Sequence, residues 1–355
     1  MDITLRPIGE QVVVIVGASS GIGRVTARLA AERGARVVLA ARNERDLAAA
    51  VDEIRSRGGR AVYQVADVAE ESHVERVADA ARREFGQIDT WVNAAGVGVY
   101  GKVMELSTED MRRQFDVIYW GTAYGSRAAV RHLRERGGAL ISVASALADR
   151  AVPLQGNYCA AKHAVKALTD ALRMELHADG IKISVTLIKP ASIDTPLFQK
   201  SKSYLGVEPQ PIPPVYAPEV VAEAILSAAV RPVRELITGG AAVQLPIAEA
   251  LAPGLTDRYM ERTMFDTQMT DTPVGDRADN LYAPVAHDGG ERGHNWTGDT
   301  KATSLYTRAA LHPGLTAVAG ALGAGLLLAG ALGLRRRGDG AETVVPRTTG
   351  GEPGT

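Results

Sequence analysis

Residues 11–42, "QVVVIVGASSGIGRVTARLAAERGARVVLAAR", set an apolar run against closely spaced glycines, then an amphipathic stretch, then a second apolar run. An apolar run without polar alternation reads as a strand buried on both faces. Such strands belong to parallel sheets whose two faces are covered by helices. The alternation continues through "RAVYQVADV", "IDTWVNAAG", "GALISVAS", "IKISVTLIKP" and the short "ELIT", with helix-forming segments between them. Asn43 is the candidate N-cap of the second helix, and Gly34 and Gly58 are candidate helix stops. The expected fold is α/β, a doubly wound parallel sheet complete by about residue 240.

The glycines of "VIVGASSGIGR" join the first strand to the first helix. Gly17 suits a tight turn, Gly21 lets the backbone come close to a pyrophosphate, and Gly23 lets the helix pack tightly. The helix N-terminus then offers free N–H groups and a partial positive charge to phosphates. A glycine triplet alone is weak evidence, because glycines punctuate any strand-to-helix turn. Its position, after the first strand and at the opening of the first helix, makes it a nucleotide-binding signature.

Tyr158 and Lys162, in "NYCAAKHAV", lie one helical turn apart on one face. A solvated aromatic beside a charge is the competing reading of such a pair. Several ordered motifs decide between the two: "GASSGIG", "DV" at Asp67, "NAAG" at 93–96, and Ser145 thirteen residues before Tyr158. With these the chain resembles the short-chain dehydrogenase/reductase family over roughly residues 8–240, and the expected fold is the Rossmann fold. The resemblance implies hydride transfer between nicotinamide and a carbonyl or secondary alcohol. Tyr158 is then the general acid/base, Lys162 the residue that lowers its pKa and holds the nicotinamide ribose, and Ser145 the donor that orients the carbonyl oxygen. It further places Gly17, Ser19, Ser20, Gly21, Ile22 and Gly23 under the cofactor phosphates and Asp67 and Val68 at the adenine. Asn93, Ala94 and Gly96 lie in the loop beneath the cofactor, with Asn93 open to a purely structural role. Pro190 and Thr195 are placed at the nicotinamide, Thr195 meeting its carboxamide.

The second strand ends in a neutral Ala41 and a cationic Arg42, where a carboxylate would select NAD. The cofactor expected is NADP(H), with Arg42 on the 2′-phosphate. The competing reading is a solvated arginine at a helix start. One family residue is missing. Ile118, in "RQFDVIYWGTAYGSR", stands where the family has an asparagine that supports a proton-relaying water. Two readings stay open: an active enzyme with water reaching Lys162 past Asn157 or Tyr119, or a slow or inactive NADP-binding membrane-associated scaffold or sensor. Ala191 likewise replaces a family glycine. Leu197, Phe198, Tyr204 and Leu205 point to a small apolar carbonyl or alcohol substrate, a packing role being the alternative, and family members commonly form homodimers or homotetramers.

The formal net charge of −1 gives no case for nucleic acid, and the single Cys159 excludes an internal disulfide and a thiol-rich metal site. The start "MDITLRPIGEQ" lacks a secretory pattern. "EPQPIPPVYAP" (208–218) reads as a proline-rich loop. Residues 241–312 read as an extension, helical and then loosely ordered from about 266, serving as a linker. Residues 315–334, "LTAVAGALGAGLLLAGALGL", are twenty uncharged residues followed by Arg335, Arg336 and Arg337. They are long enough to cross a bilayer as a helix. A membrane anchor over 313–337, a cytoplasmic catalytic domain and a disordered tail over 338–355 are expected. The competing reading is an Ala/Gly-rich helix packed on protein. The arginine cluster argues against a simple single crossing.

Overall fold

The computed structural model describes residues 2–312 and Gly314. Its centre is a seven-stranded parallel sheet of β1 (Val12–Val16), β2 (Arg36–Ala41), β3 (Arg60–Val65), β4 (Thr90–Asn93), β5 (Gly138–Val143), β6 (Ile183–Pro190) and β7 (Glu235–Thr238). The spatial order is β3-β2-β1-β4-β5-β6-β7, so the winding reverses between β1 and β4. A doubly wound sheet binds its ligand in the crevice outside the strand ends at such a switch point. Val12, Val13, Val14 and Ile15 are fully buried, as an apolar strand covered on both faces requires. Each such side chain contributes about 1.5–3 kcal/mol on burial.

The covering helices are α1 (Gly21–Glu32), α2 (Glu44–Ser56), α3 (Glu71–Phe85), α4 (Thr108–Phe115), α5 (Gly121–Leu133), α6 (Gly156–Ala178), the single turn α7 (Leu197–Lys200) and α8 (Pro218–Val230). Asn43 caps α2 as expected, its side chain accepting from the Asp46 amide at 3.1 Å. The helix expected near 107–135 is two helices, α4 and α5, joined by a π-helical turn over Asp116–Trp120 that carries Ile118.

Beyond the sheet come α9 (Ala241–Leu251) and α10 (Pro253–Thr263). The stretch from 266 departs from the linker expectation. Met269–Pro273 pairs antiparallel with Val207–Pro209, and Thr300–Lys301 pairs parallel with Val215–Tyr216. The proline-rich loop therefore contributes short strands where it meets the extension. Met1–Arg308 forms one compact unit, so the sequence boundary near 240 is not a division in the contacts. A second unit covers Ala309–Thr355. Its segment 315–334, the expected anchor, and the tail 338–355 lie outside the described residues. Among the described residues, no helix is long and apolar enough to cross a membrane.

Candidate active site

One cavity of about 290 Å³ runs along the carboxyl ends of the strands at the switch point. Every catalytic and cofactor-binding residue named from the sequence lines it except Asn93. The Asn93 side chain turns instead toward α5. Its Oδ1 accepts from Trp91 Nε1 at 2.8 Å, and its Nδ2 donates to Ser126 Oγ at 3.2 Å. It ties β4 to the helix behind the sheet, the structural role left open for it.

At one end of the cavity lies the glycine-rich turn. Gly17 has φ of 92°, and a Cβ there would sit 2.5 Å from the Ala95 amide nitrogen. At Gly23 a Cβ would fall 2.1 Å from the Gly17 carbonyl. The turn thus closes only with glycine at both positions, which leaves the α1 N-terminus open to the cavity. Asp67 is paired with Arg113, while its Oδ1 accepts from the Ala69 amide.

At the other end, Ser145 follows β5, and Tyr158 and Lys162 project from α6. Ser145 Oγ accepts from the Leu147 amide at 3.1 Å. Lys162 Nζ donates to the Val143 carbonyl at 2.8 Å and stands 5.7 Å from the Tyr158 ring centre. Burial pushes the Tyr158 phenol above its ordinary range, against a smaller lowering effect of the Ser145 hydroxyl. The lowered phenol expected from the sequence counts on Lys162 together with the positive nicotinamide ring, and burial acts in the opposite direction. Burial pulls the Lys162 ammonium down to about 8.

Ile118 is fully buried, in one apolar cluster with Ala144, Ala161, Val165 and Leu187, with Tyr158 packed against it. The Asn157 amide, one alternative route for water, donates to the Met111 carbonyl at 3.1 Å and to Gln114 Oε1 at 2.8 Å. Tyr119 packs edge-on against Trp120. Of the apolar residues expected over the substrate, Leu197 and Phe198 line the cavity. Tyr204 does not line it and donates to Asp110 at 2.6 Å. Val152, Ile212 and Met264 line the same end without having been singled out from the sequence.

The largest departure concerns Arg42. Its guanidinium donates to the backbone carbonyls of Asn280, Leu281 and Tyr282, from a strap that crosses the glycine-rich end. The strap is fastened along its length. Leu281 is fully buried, and Tyr282 OH donates to Asp110 at 2.8 Å. Asn43 Nδ2 donates to the Val285 carbonyl at 2.8 Å, and the Asp288 amide donates to Asp46 Oδ2 at 2.6 Å. The Gly21 amide donates to the Gly290 carbonyl at 2.9 Å, and Arg28 pairs with Glu291 at 2.8 Å. Lys200, also unnoticed in the sequence, donates to Ser20 Oγ at 2.9 Å and to Asp288 at 3.0 Å.

Comparison with known proteins agrees with this geometry. The short chain dehydrogenase family model matches residues 11–205, and the chain belongs to that family. It is 44% identical to the uncharacterized oxidoreductase YxnA of Bacillus subtilis over 87% of each chain. A short-chain dehydrogenase/reductase from Burkholderia phymatum, solved with NAD, is 28% identical with a TM-score of 0.64, covering 71% of this chain and 96% of that one. An alcohol dehydrogenase from the archaeon Thermococcus sibiricus, solved with 5-hydroxy-NADP, is 27% identical with a TM-score of 0.56, covering 64% of this chain and 95% of that one. The protein is thus an oxidoreductase of alcohol and carbonyl groups that uses a nicotinamide cofactor. The cavity and its glycine cradle fit such a cofactor.

Proposed function

We propose that the protein interconverts a small apolar secondary alcohol and its carbonyl with preference for NADP(H), and that Tyr158 is the acid/base. The convergence of Ser145, Tyr158 and Lys162 at one end of the glycine-cradled cavity carries this reading. The bound cofactor supplies the hydride acceptor or donor. Ser145 donates to the substrate oxygen and orients it. Tyr158 delivers its phenol proton to that oxygen in reduction and is left as phenolate; in oxidation the phenolate receives the proton of the alcohol. Lys162, with a pKa of about 8, carries positive charge near neutrality and exchanges a proton close to working pH. Leu147, Val152, Leu197, Phe198, Ile212 and Met264 give the substrate end its apolar lining. Turnover of a panel of alcohols and ketones by wild-type protein and Tyr158→Phe tests the assignment, and equal rates would refute it.

The NADP(H) preference rests on the neutral Ala41 beside the cationic Arg42. A 2′-phosphate has to compete with the strap carbonyls for that guanidinium. The fully buried Ile118 favours a second reading, a slow or inactive cofactor-binding scaffold, because no polar side chain replaces the family asparagine. A protein that binds cofactor tightly yet turns over none of the panel would establish it. Membrane anchoring through 315–334 rests on sequence alone. Alkaline extraction of cells expressing the full chain or residues 1–312 tests it, and a soluble full-length protein would end it. A homodimer or homotetramer is proposed from the family, and light scattering decides it.

A further inference from the structure

We propose that Lys200 is a cofactor-binding residue whose ammonium takes the pyrophosphate of the dinucleotide, with Asp288 of the strap as its counter-ion until that group arrives. The proposal rests on the dinucleotide reading of the cleft. Lys200 ends α7 and Asp288 belongs to the strap, and both side chains are only 9% exposed. Both line the cavity. Lys200 Nζ reaches the glycine-rich turn directly through Ser20 Oγ, the N-cap residue of α1, whose hydroxyl accepts from no amide of that helix.

Electrostatics argues that this place is built for an anion. A helix N-terminus carries partial positive charge, so a lysine there is disfavoured unless an anion lies with it. Asp288 supplies that anion here, at 3.0 Å. A buried ion pair contributes little net stability over well-packed apolar side chains, so folding alone does not call for one. Two cationic features beside an open cavity suit a pyrophosphate. Asp288 then competes with the phosphates for the same ammonium.

The pyrophosphate is common to NAD and NADP, which separates Lys200 from Arg42. The experiment is fluorescence titration of NADH and NADPH into the full chain, giving dissociation constants for wild type, Lys200→Met, Asp288→Asn and the double variant. Lys200→Met and the double variant are expected to weaken both cofactors by about tenfold or more, the value of a charge-assisted hydrogen bond. The ratio of the two affinities stays unchanged, and Lys200→Arg recovers binding. Asp288→Asn is expected to tighten both, since the competing carboxylate is gone. The double variant leaves no buried charge unpaired and serves if Lys200→Met fails to fold. Wild-type affinity in the lysine variants would overturn the proposal. So would an equal loss in Asp288→Asn, which would mean that the lysine only pins the strap. A wild-type protein that binds neither dinucleotide would instead overturn the reading of the cleft.

Discussion

The two ends of the cleft are assembled in different ways. At one end, Ser145, Tyr158 and Lys162 themselves come from the loop after β5 and the helix that follows, all within eighteen residues. The end that holds Arg42 and the glycine-rich turn is completed by a strap whose Leu281 lies 239 positions further along the chain. On the proposed function, the first end depends on side chains that must be of one type. The second needs glycine at Gly17 and Gly23, but the strap that completes it engages Arg42 through backbone carbonyls, which almost any residue supplies. On that proposal, proton transfer falls at the local end and cofactor binding at the non-local end.

The sharpest way to break this contrast is Tyr158→Phe. Removing the hydroxyl removes the proton donor while leaving the ring packed against the Ile118 cluster. Turnover is expected to fall by about 10²- to 10⁴-fold or more, with cofactor affinity unchanged in a fluorescence titration. A comparable loss of cofactor affinity would show that the two ends are not functionally separate.

Arg42→Ala probes the other end. If Arg42 reads a 2′-phosphate, NADPH affinity falls by about ten- to a hundredfold while NADH affinity changes little. If its work is to hold the strap through the carbonyls of Asn280, Leu281 and Tyr282, both affinities fall together. The ratio of the two dissociation constants separates these outcomes.

This split also explains what could be read from the sequence. The parallel sheet was legible because buried strands must be apolar throughout. The glycine turn was legible because a Cβ at Gly17 or Gly23 would collide with backbone. Tyr158 and Lys162 could be paired because one helical turn sets their spacing, and Ser145 joined them through the family pattern that the chain resembles. The strap was not. Asn280, Leu281, Tyr282, Val285 and Gly290 all engage the body through their carbonyls, and a carbonyl leaves no trace in side-chain pattern. A polar segment with one buried leucine looks like a linker until its backbone bonds are traced. Lys200 was hidden for a related reason, since the partner that makes it a site residue, Asp288, belongs to that same segment.

Ile118→Asn sharpens the reading of the catalytic end. The side chain sits in a π-helical turn, fully buried among apolar neighbours. An amide introduced there without partners is expected to lower stability by about 1–3 kcal/mol. Turnover is nonetheless expected to be kept or raised, because the amide restores a polar side chain in the cluster packed against Tyr158. Thermal unfolding and steady-state rates measured on the same preparation separate the two effects. A fall in both would show that Ile118 is needed as packing and that the proton route runs elsewhere.

The smallest expected effect is a pH dependence of stability that belongs to Lys162. Its ammonium is pulled down to about 8 by burial, whereas an unfolded lysine titrates near about 10.4. Between these values the unfolded chain binds more protons than the folded one, so stability rises with pH through that window. Below about pH 8 both states are protonated and the burial penalty is fully present. Burial raises the Cys159 thiol to about 11 and also raises the Tyr158 phenol, and both push the other way at higher pH. The comparison is therefore with Lys162→Met, between about pH 7 and about pH 9, in cofactor-free protein. Over that range wild type is expected to gain about 1 kcal/mol relative to the variant, read from denaturant unfolding at each pH. Parallel curves for the two proteins would mean that the lysine keeps its ordinary pKa. In that case its proton would not exchange near working pH, and its part in catalysis would be reduced to a fixed positive charge beside Tyr158.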